Sequence, residues 1–122
     1  MNALGTHVML ELKGCNPQLL DDLTYIKDVM VSAADGVGAQ ILGESFHQFY
    51  PQGVTGIVAI AESHLCIHTW PEYGYAAADI FTCGTSINPK EAARFIIDQL
   101  ESQEPSIVEL KRGLSPLLVP AR

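Results

Sequence analysis

Two Asn-Pro pairs, Asn16-Pro17 and Asn88-Pro89, each open a stretch of helical apolar spacing, and only short apolar runs broken by turn residues lie between those stretches. Asparagine at an N-cap satisfies an amide of the first helical turn. Proline suits the first helical position because its missing N–H would have no partner there. After the first pair, Leu19, Leu20, Leu23, Ile26, Val29, Met30 and Ala33 recur at three- and four-residue steps. That spacing predicts one helix to about Asp35, closed by Gly36 and Gly38. After the second pair, Ala92, Ala93, Phe95, Ile96, Ile97 and Leu100 predict a helix to about Gln103.

The remaining runs read as strands: residues 6–12, 39–49 with a bulge around Gly43, 54–61, 64–70, 75–83 and 106–110. Short turns dominate the middle of the chain, and long crossovers are few. The predicted fold is therefore α+β, a largely antiparallel sheet with two helices packed on one face. The other face then needs a cover, which a homodimer pairing sheet against sheet, an αββα-type sandwich, would supply. Hydrophobic residues make up 48% of the chain, which suits an extra buried interface. The length, 122 residues, fits a single domain over residues 1–122, and the proline-containing tail after the last strand is expected to be loosely held.

Fourteen acidic residues against seven basic ones give a net charge of −7. That excludes nucleic acid and anionic membranes as natural partners and suits a small cationic substrate. Three cysteines, Cys15, Cys66 and Cys83, with no CxxC pair, offer no disulfide framework and leave at least one free thiol. With no membrane-length apolar run and no signal-peptide pattern, a cytoplasmic location is expected.

The densest chemistry lies in Glu62-Ser63-His64-Leu65-Cys66-Ile67-His68-Thr69-Trp70-Pro71-Glu72-Tyr73-Gly74-Tyr75. On a strand, Ser63, Leu65, Ile67 and Thr69 share one face, and His64, Cys66, His68 and Trp70 share the other. Three soft donors on one face suggest zinc, yet His64 and His68 would stand about 13 Å apart, too far for one ion. A hydroxyl with histidine and thiol neighbours suggests nucleophilic chemistry at Ser63, although no G-x-S-x-G elbow is present. The plain alternative is that the two histidines are hydrogen-bonded sheet residues and Cys66 is filler.

The run from Glu62 to Glu72 resembles the self-processing site of the prokaryotic S-adenosylmethionine decarboxylase family. The resemblance extends through Tyr73-Gly74-Tyr75-Ala76-Ala77 and Asp79-Ile80-Phe81-Thr82-Cys83-Gly84. Upstream, Leu4-Gly5-Thr6-His7 and the segment from Phe46 to Gly56 are similar to the same family, and the likeness weakens after about Ile87.

The resemblance implies a proenzyme that makes its own cofactor. The hydroxyl of Ser63 attacks the carbonyl carbon of Glu62, turning the amide into an ester. β-Elimination then releases a carboxylate on Glu62 and leaves dehydroalanine at 63, and hydrolysis of its imine tautomer by water, with loss of ammonia, gives a covalent pyruvoyl group. The products are a β chain of residues 1–62 and an α chain of residues 63–122. Such an attack calls for a strained local backbone. By the same resemblance His68 assists processing, and Thr55 supports it from a position where the family usually has serine. In turnover the pyruvoyl ketone forms a Schiff base with the substrate amine, and Cys83 is the acid that reprotonates the carbanion after carbon dioxide leaves. A thiol suits that step because thiols are largely protonated at neutral pH. Phe49 and Trp70 are the aromatic platforms for the sulfonium and adenine of S-adenosylmethionine, with Phe49 donated across a dimer interface. Glu72 is the ribose-binding carboxylate. The implied product is decarboxylated S-adenosylmethionine for spermidine biosynthesis, and no metal is expected. Two other readings stay open: pyruvoyl chemistry on arginine or ornithine, and a non-catalytic or metal-binding homologue that never cleaves. Phe49, Trp70 and Glu72 favour the nucleoside substrate over the former, and the intact Glu62-Ser63 pair argues against the latter.

Overall fold

The computed structural model describes residues 3–84 and 86–114. These residues form six strands, β1 (Ala3–Lys13), β2 (Ile41–Gln48), β3 (Val54–Ile60), β4 (Ser63–Trp70), β5 (Tyr75–Cys83) and β6 (Glu104–Leu114). They make one sheet in the order β2-β3-β4-β5-β1-β6, with every neighbouring pair antiparallel. Helices α1 (Pro17–Leu20), α2 (Leu23–Gly36) and α3 (Pro89–Gln99) pack on one face, and a 3-10 turn spans Pro71–Tyr73. The α+β architecture expected from the punctuation is the one observed.

Alternation along the central strands separates the two faces. Val8, Leu10 and Leu12 of β1, Leu65 and Ile67 of β4, and Ala76, Ala78 and Ile80 of β5 are buried beneath the helices. They meet Leu20, Ile26, Met30, Ile96 and Leu100 from above. Among the described residues, the opposite face carries no helix. Ile57, Trp70, Val108 and Leu110 stand on it, each at least 39% exposed. Gly56 has its own packing reason: a Cβ there would collide with the Phe46 ring.

The single first helix predicted by periodicity is two helices. Asp22 caps the second, its Oδ1 accepting from the Tyr25 amide at 3.0 Å. Apolar spacing runs across the break because Leu20 and Ile26 reach the same core from both pieces. The second predicted helix also stops earlier, at Gln99. Glu101 turns the chain out with a left-handed φ of 57°, and Gln103 already donates its amide to the Lys13 carbonyl at 3.1 Å. β6 is correspondingly longer than expected. The bulge near Gly43 is present as a register shift between Ile41 and Gly43. The tail expected to be loose after Leu110 is in part β6, which takes in residues 111–114, and residues 115–122 lie outside the described residues.

Candidate active site

The β3–β4 hairpin presents the Glu62–Ser63 bond. Ile60 pairs with Ser63, so Ala61 and Glu62 form a two-residue loop. Glu62 has φ 61°, a left-handed conformation that costs an L-residue roughly 1–2 kcal/mol. Glycine or asparagine is the usual occupant of a positive-φ turn position, so glutamate there is strained. The loop cannot relax freely, because the Ala61 amide donates to the Gln40 carbonyl at 3.0 Å. Beside it, the Cys83 amide donates to Ser63 Oγ at 3.2 Å. A cavity of about 410 Å³, lined in part by Gln40, Glu62, Cys83 and Ile87, opens next to the bond. A hydroxyl, a strained acyl carbon and a thiol residue therefore meet at one end of the sheet.

At the other end stands a second group. Thr55 on β3 pairs with His68 on β4, and Thr55 Oγ1 lies 3.1 Å from His68 Nδ1. The Trp70 ring follows on the same face, 6.3 Å from His68 and 5.4 Å from Tyr75 between centroids. Glu72 projects from the 3-10 turn just beyond, and Phe49 comes from the loop after β2. Phe49, Thr55, His68, Trp70 and Glu72 share a cavity of about 310 Å³. Phe49 is 47% and Trp70 39% exposed, so both offer an uncovered ring face.

Every residue predicted from the sequence thus falls into one of two groups, and the chain does not bring the groups together. Ser63 and His68 are five residues apart on one strand. They project from opposite faces and stand about 16 Å apart along it. His68 does not reach the scissile bond of its own chain.

Several supporting residues escaped the sequence reading. Buried Thr69 accepts from the Val54 amide at 2.8 Å and donates to the Leu20 carbonyl at 2.7 Å, pinning the strand end that carries His68 and Trp70. Asp21 Oδ1 accepts from the Gly53 amide at 2.9 Å and from Gln48 Nε2 at 3.0 Å, fixing the loop that carries Phe49. The two Asp21 partners are 27 and 32 residues away, so no local pattern marks the role. Cys66 is not core filler: it sits half-buried on the open face, opposite Asp79. Burial, and then the Asp79 charge, push its thiol up to about 11.

Comparisons with known proteins bear on the family and the fold. A family model described as S-adenosylmethionine decarboxylase matches residues 6–113. The chain belongs to that family. It is 56% identical over 114 residues to the S-adenosylmethionine decarboxylase proenzyme of Thermodesulfovibrio yellowstonii, covering 93% of this chain and 84% of that one. It is 50% identical to the proenzyme of Caldanaerobacter subterraneus subsp. tengcongensis, covering 93% and 92%. The crystal structure of the adenosylmethionine decarboxylase from Aquifex aeolicus superposes with a TM-score of 0.88 at 32% identity, covering 93% of this chain and 94% of that one. As an S-adenosylmethionine decarboxylase family member the chain is a carboxy-lyase made as a self-processing proenzyme.

Proposed function

We propose that the chain cuts itself between Glu62 and Ser63, converts Ser63 into a pyruvoyl group, and decarboxylates S-adenosylmethionine on the route to spermidine. The observation that carries this reading is the left-handed Glu62 beside a Ser63 hydroxyl held by the Cys83 amide. Attack of Oγ on the Glu62 carbonyl followed by elimination releases the backbone strain of the loop, so the fold favours the cut state. The cleaved ends gain room in the adjoining cavity.

The pyruvoyl carbonyl would act as the electron sink for loss of carbon dioxide. The rest falls to side chains. The Cys83 thiol donates the proton that replaces the lost carboxyl. Phe49 and Trp70 attract the sulfonium and stack on the base, and Glu72 accepts from the ribose hydroxyls. His68, held by Thr55, moves the proton in β-elimination.

Separation of the two groups within one chain favours a homodimer in which each site draws on both copies. A two-fold axis running across the strands near the level of Cys66 would set the Ser63 end of one sheet over the His68 end of the other. Phe49 would then also come from the partner. The exposed Ile57, Trp70, Val108 and Leu110 give the open face the apolar surface that such pairing needs. No described helix is long and apolar enough to cross a membrane. We assign residues 1–122 to one cytoplasmic domain, split by processing into 1–62 and 63–122. The test is carbon dioxide release from S-adenosylmethionine, arginine and ornithine by the purified protein. Release from the nucleoside alone, lost in Ser63→Ala, is expected. Release from arginine or ornithine instead would overturn the substrate assignment.

A further inference from the structure

We propose that His7, His64 and Asp79 form a binding site for one divalent transition-metal ion of the zinc class on the open sheet face. The three come from neighbouring strands β1, β4 and β5, and one ligand atom from each lies within 4.8 Å of the others. His7 and His64 both pair with Phe81 across the ladder, and Asp79 precedes Phe81 by two residues on the same face. Three hydrogen-bonded strands therefore hold the donors, so little order is lost on binding.

Zinc bonds to nitrogen and oxygen of about 2.0–2.2 Å set tetrahedral donors roughly 3.4 Å apart. His64 Nε2 and Asp79 Oδ2 are already 3.6 Å apart. His7 Nε2 and Asp79 Oδ2 are 2.6 Å apart, bridged by a proton that the ion would replace. Opening that contact takes less than about 1 Å. Two imidazoles and one carboxylate make a donor set suited to zinc, cobalt or nickel rather than magnesium or calcium. The fourth position points out of the sheet, toward the partner copy in the proposed homodimer, and Cys66, directly across from Asp79, is a neighbouring soft donor.

One contact opposes binding. Arg112 Nη1 lies 3.5 Å from His7 Nδ1, and a ring that ligates through Nε2 carries its proton on Nδ1. That contact is at the limit of a hydrogen bond, and Arg112 stands on the edge strand β6; moving away from the ion would also take its guanidinium from over the Phe81 ring, 5.8 Å from the centroid. The His64–Phe81 stack at 5.8 Å and the His7–Phe81 edge contact at 5.6 Å keep both rings aimed at Asp79. The sequence alone excludes a His64–His68 pair for one ion; the cross-strand set appears only once β1 lies beside β5.

The experiment is equilibrium dialysis of chelator-stripped full-length protein against zinc chloride, with wild type and uncleaved Ser63→Ala in parallel. That pairing keeps metal binding distinct from processing. About one zinc per chain is expected in both, with affinity falling at least about tenfold in His64→Ala and in Asp79→Asn and unchanged in His47→Ala. X-ray absorption of the zinc-loaded wild type should show two imidazole ligands, which requires no variant to fold. Absence of bound zinc at micromolar free metal, retention by a His7→Ala/His64→Ala double variant, or fewer than two imidazoles would overturn the proposal.

Discussion

The main-chain amide of Cys83 donates to the hydroxyl oxygen of Ser63 across 3.2 Å, tying the last residue of β5 to the first residue of β4. The tie uses backbone on one side, so it survives truncation of the Cys83 side chain. Cys83→Ala should still yield cleaved protein, while decarboxylation falls by about 10²–10⁴-fold, the usual worth of one positioned proton donor. During turnover the α-chain mass should drift toward an aminated form, as protons go to the wrong carbon. Wild-type turnover with an unchanged α-chain mass would reduce Cys83 to a packing residue.

Glu62 supplies a second test, because its φ of 61° belongs to glycine rather than to glutamate. In the uncleavable Ser63→Ala background, Glu62→Gly should raise stability by about 1 kcal/mol, the strain relieved less the flexibility added to the unfolded chain. With Ser63 intact, the same change should slow self-cleavage about fivefold if the strain is released in the transition state. Urea midpoints and a cleavage time course read the two effects. Equal stability together with an equal rate would remove strain from the account.

Subunit complementation tests the shared site. Ser63→Ala keeps a good His68, and His68→Ala keeps a good Ser63. Expressed together, the mixed dimer should cleave the His68→Ala chain, whereas that variant alone should stay largely uncut. Absence of rescue, with mixed dimers demonstrated by differential tagging, would mean that each chain processes without its partner.

Most of the frame was legible from local signals, because caps, prolines and alternation are local physics. The two Asn-Pro openings place α1 and α3, and alternation puts His64 and His68 on the same strand face, opposite Ser63. The break between α1 and α2 was not legible, since Leu20 and Ile26 continue one apolar stripe through two helices. The site residues follow from the family resemblance, yet their division into two distant groups appears only from strand geometry. The Thr69 link to Leu20 spans 49 residues and the His7 link to Asp79 spans 72. Contacts that long leave no spacing pattern to read.

Tyr75 gives a pH dependence with a defined sign. Its hydroxyl donates to Glu11 Oε2 at 2.6 Å, and that bond, then burial, then the Glu11 charge push it from 10.0 up to about 12. The folded state holds this proton more tightly than the unfolded state. The stabilisation is therefore present below pH 10 and lost as pH rises from about 10 toward 12. Solvent screening keeps the effect small, because the bond to Glu11 lies at the surface. Tyr75→Phe should flatten this part of the alkaline decline in urea midpoints; an unchanged slope would show that the bond does not couple to folding.

The central claim is that Ser63 becomes the cofactor, and intact-mass spectrometry of the purified protein tests it most directly. The account predicts two species in place of one of 13.2 kDa: residues 1–62 ending in a free Glu62 carboxylate, and residues 63–122 beginning with a pyruvoyl group that blocks N-terminal sequencing. Ser63→Ala should give the single full-length mass. A wild-type protein that stays whole, or one cut at the same bond with an unmodified serine at the new N-terminus, would contradict it.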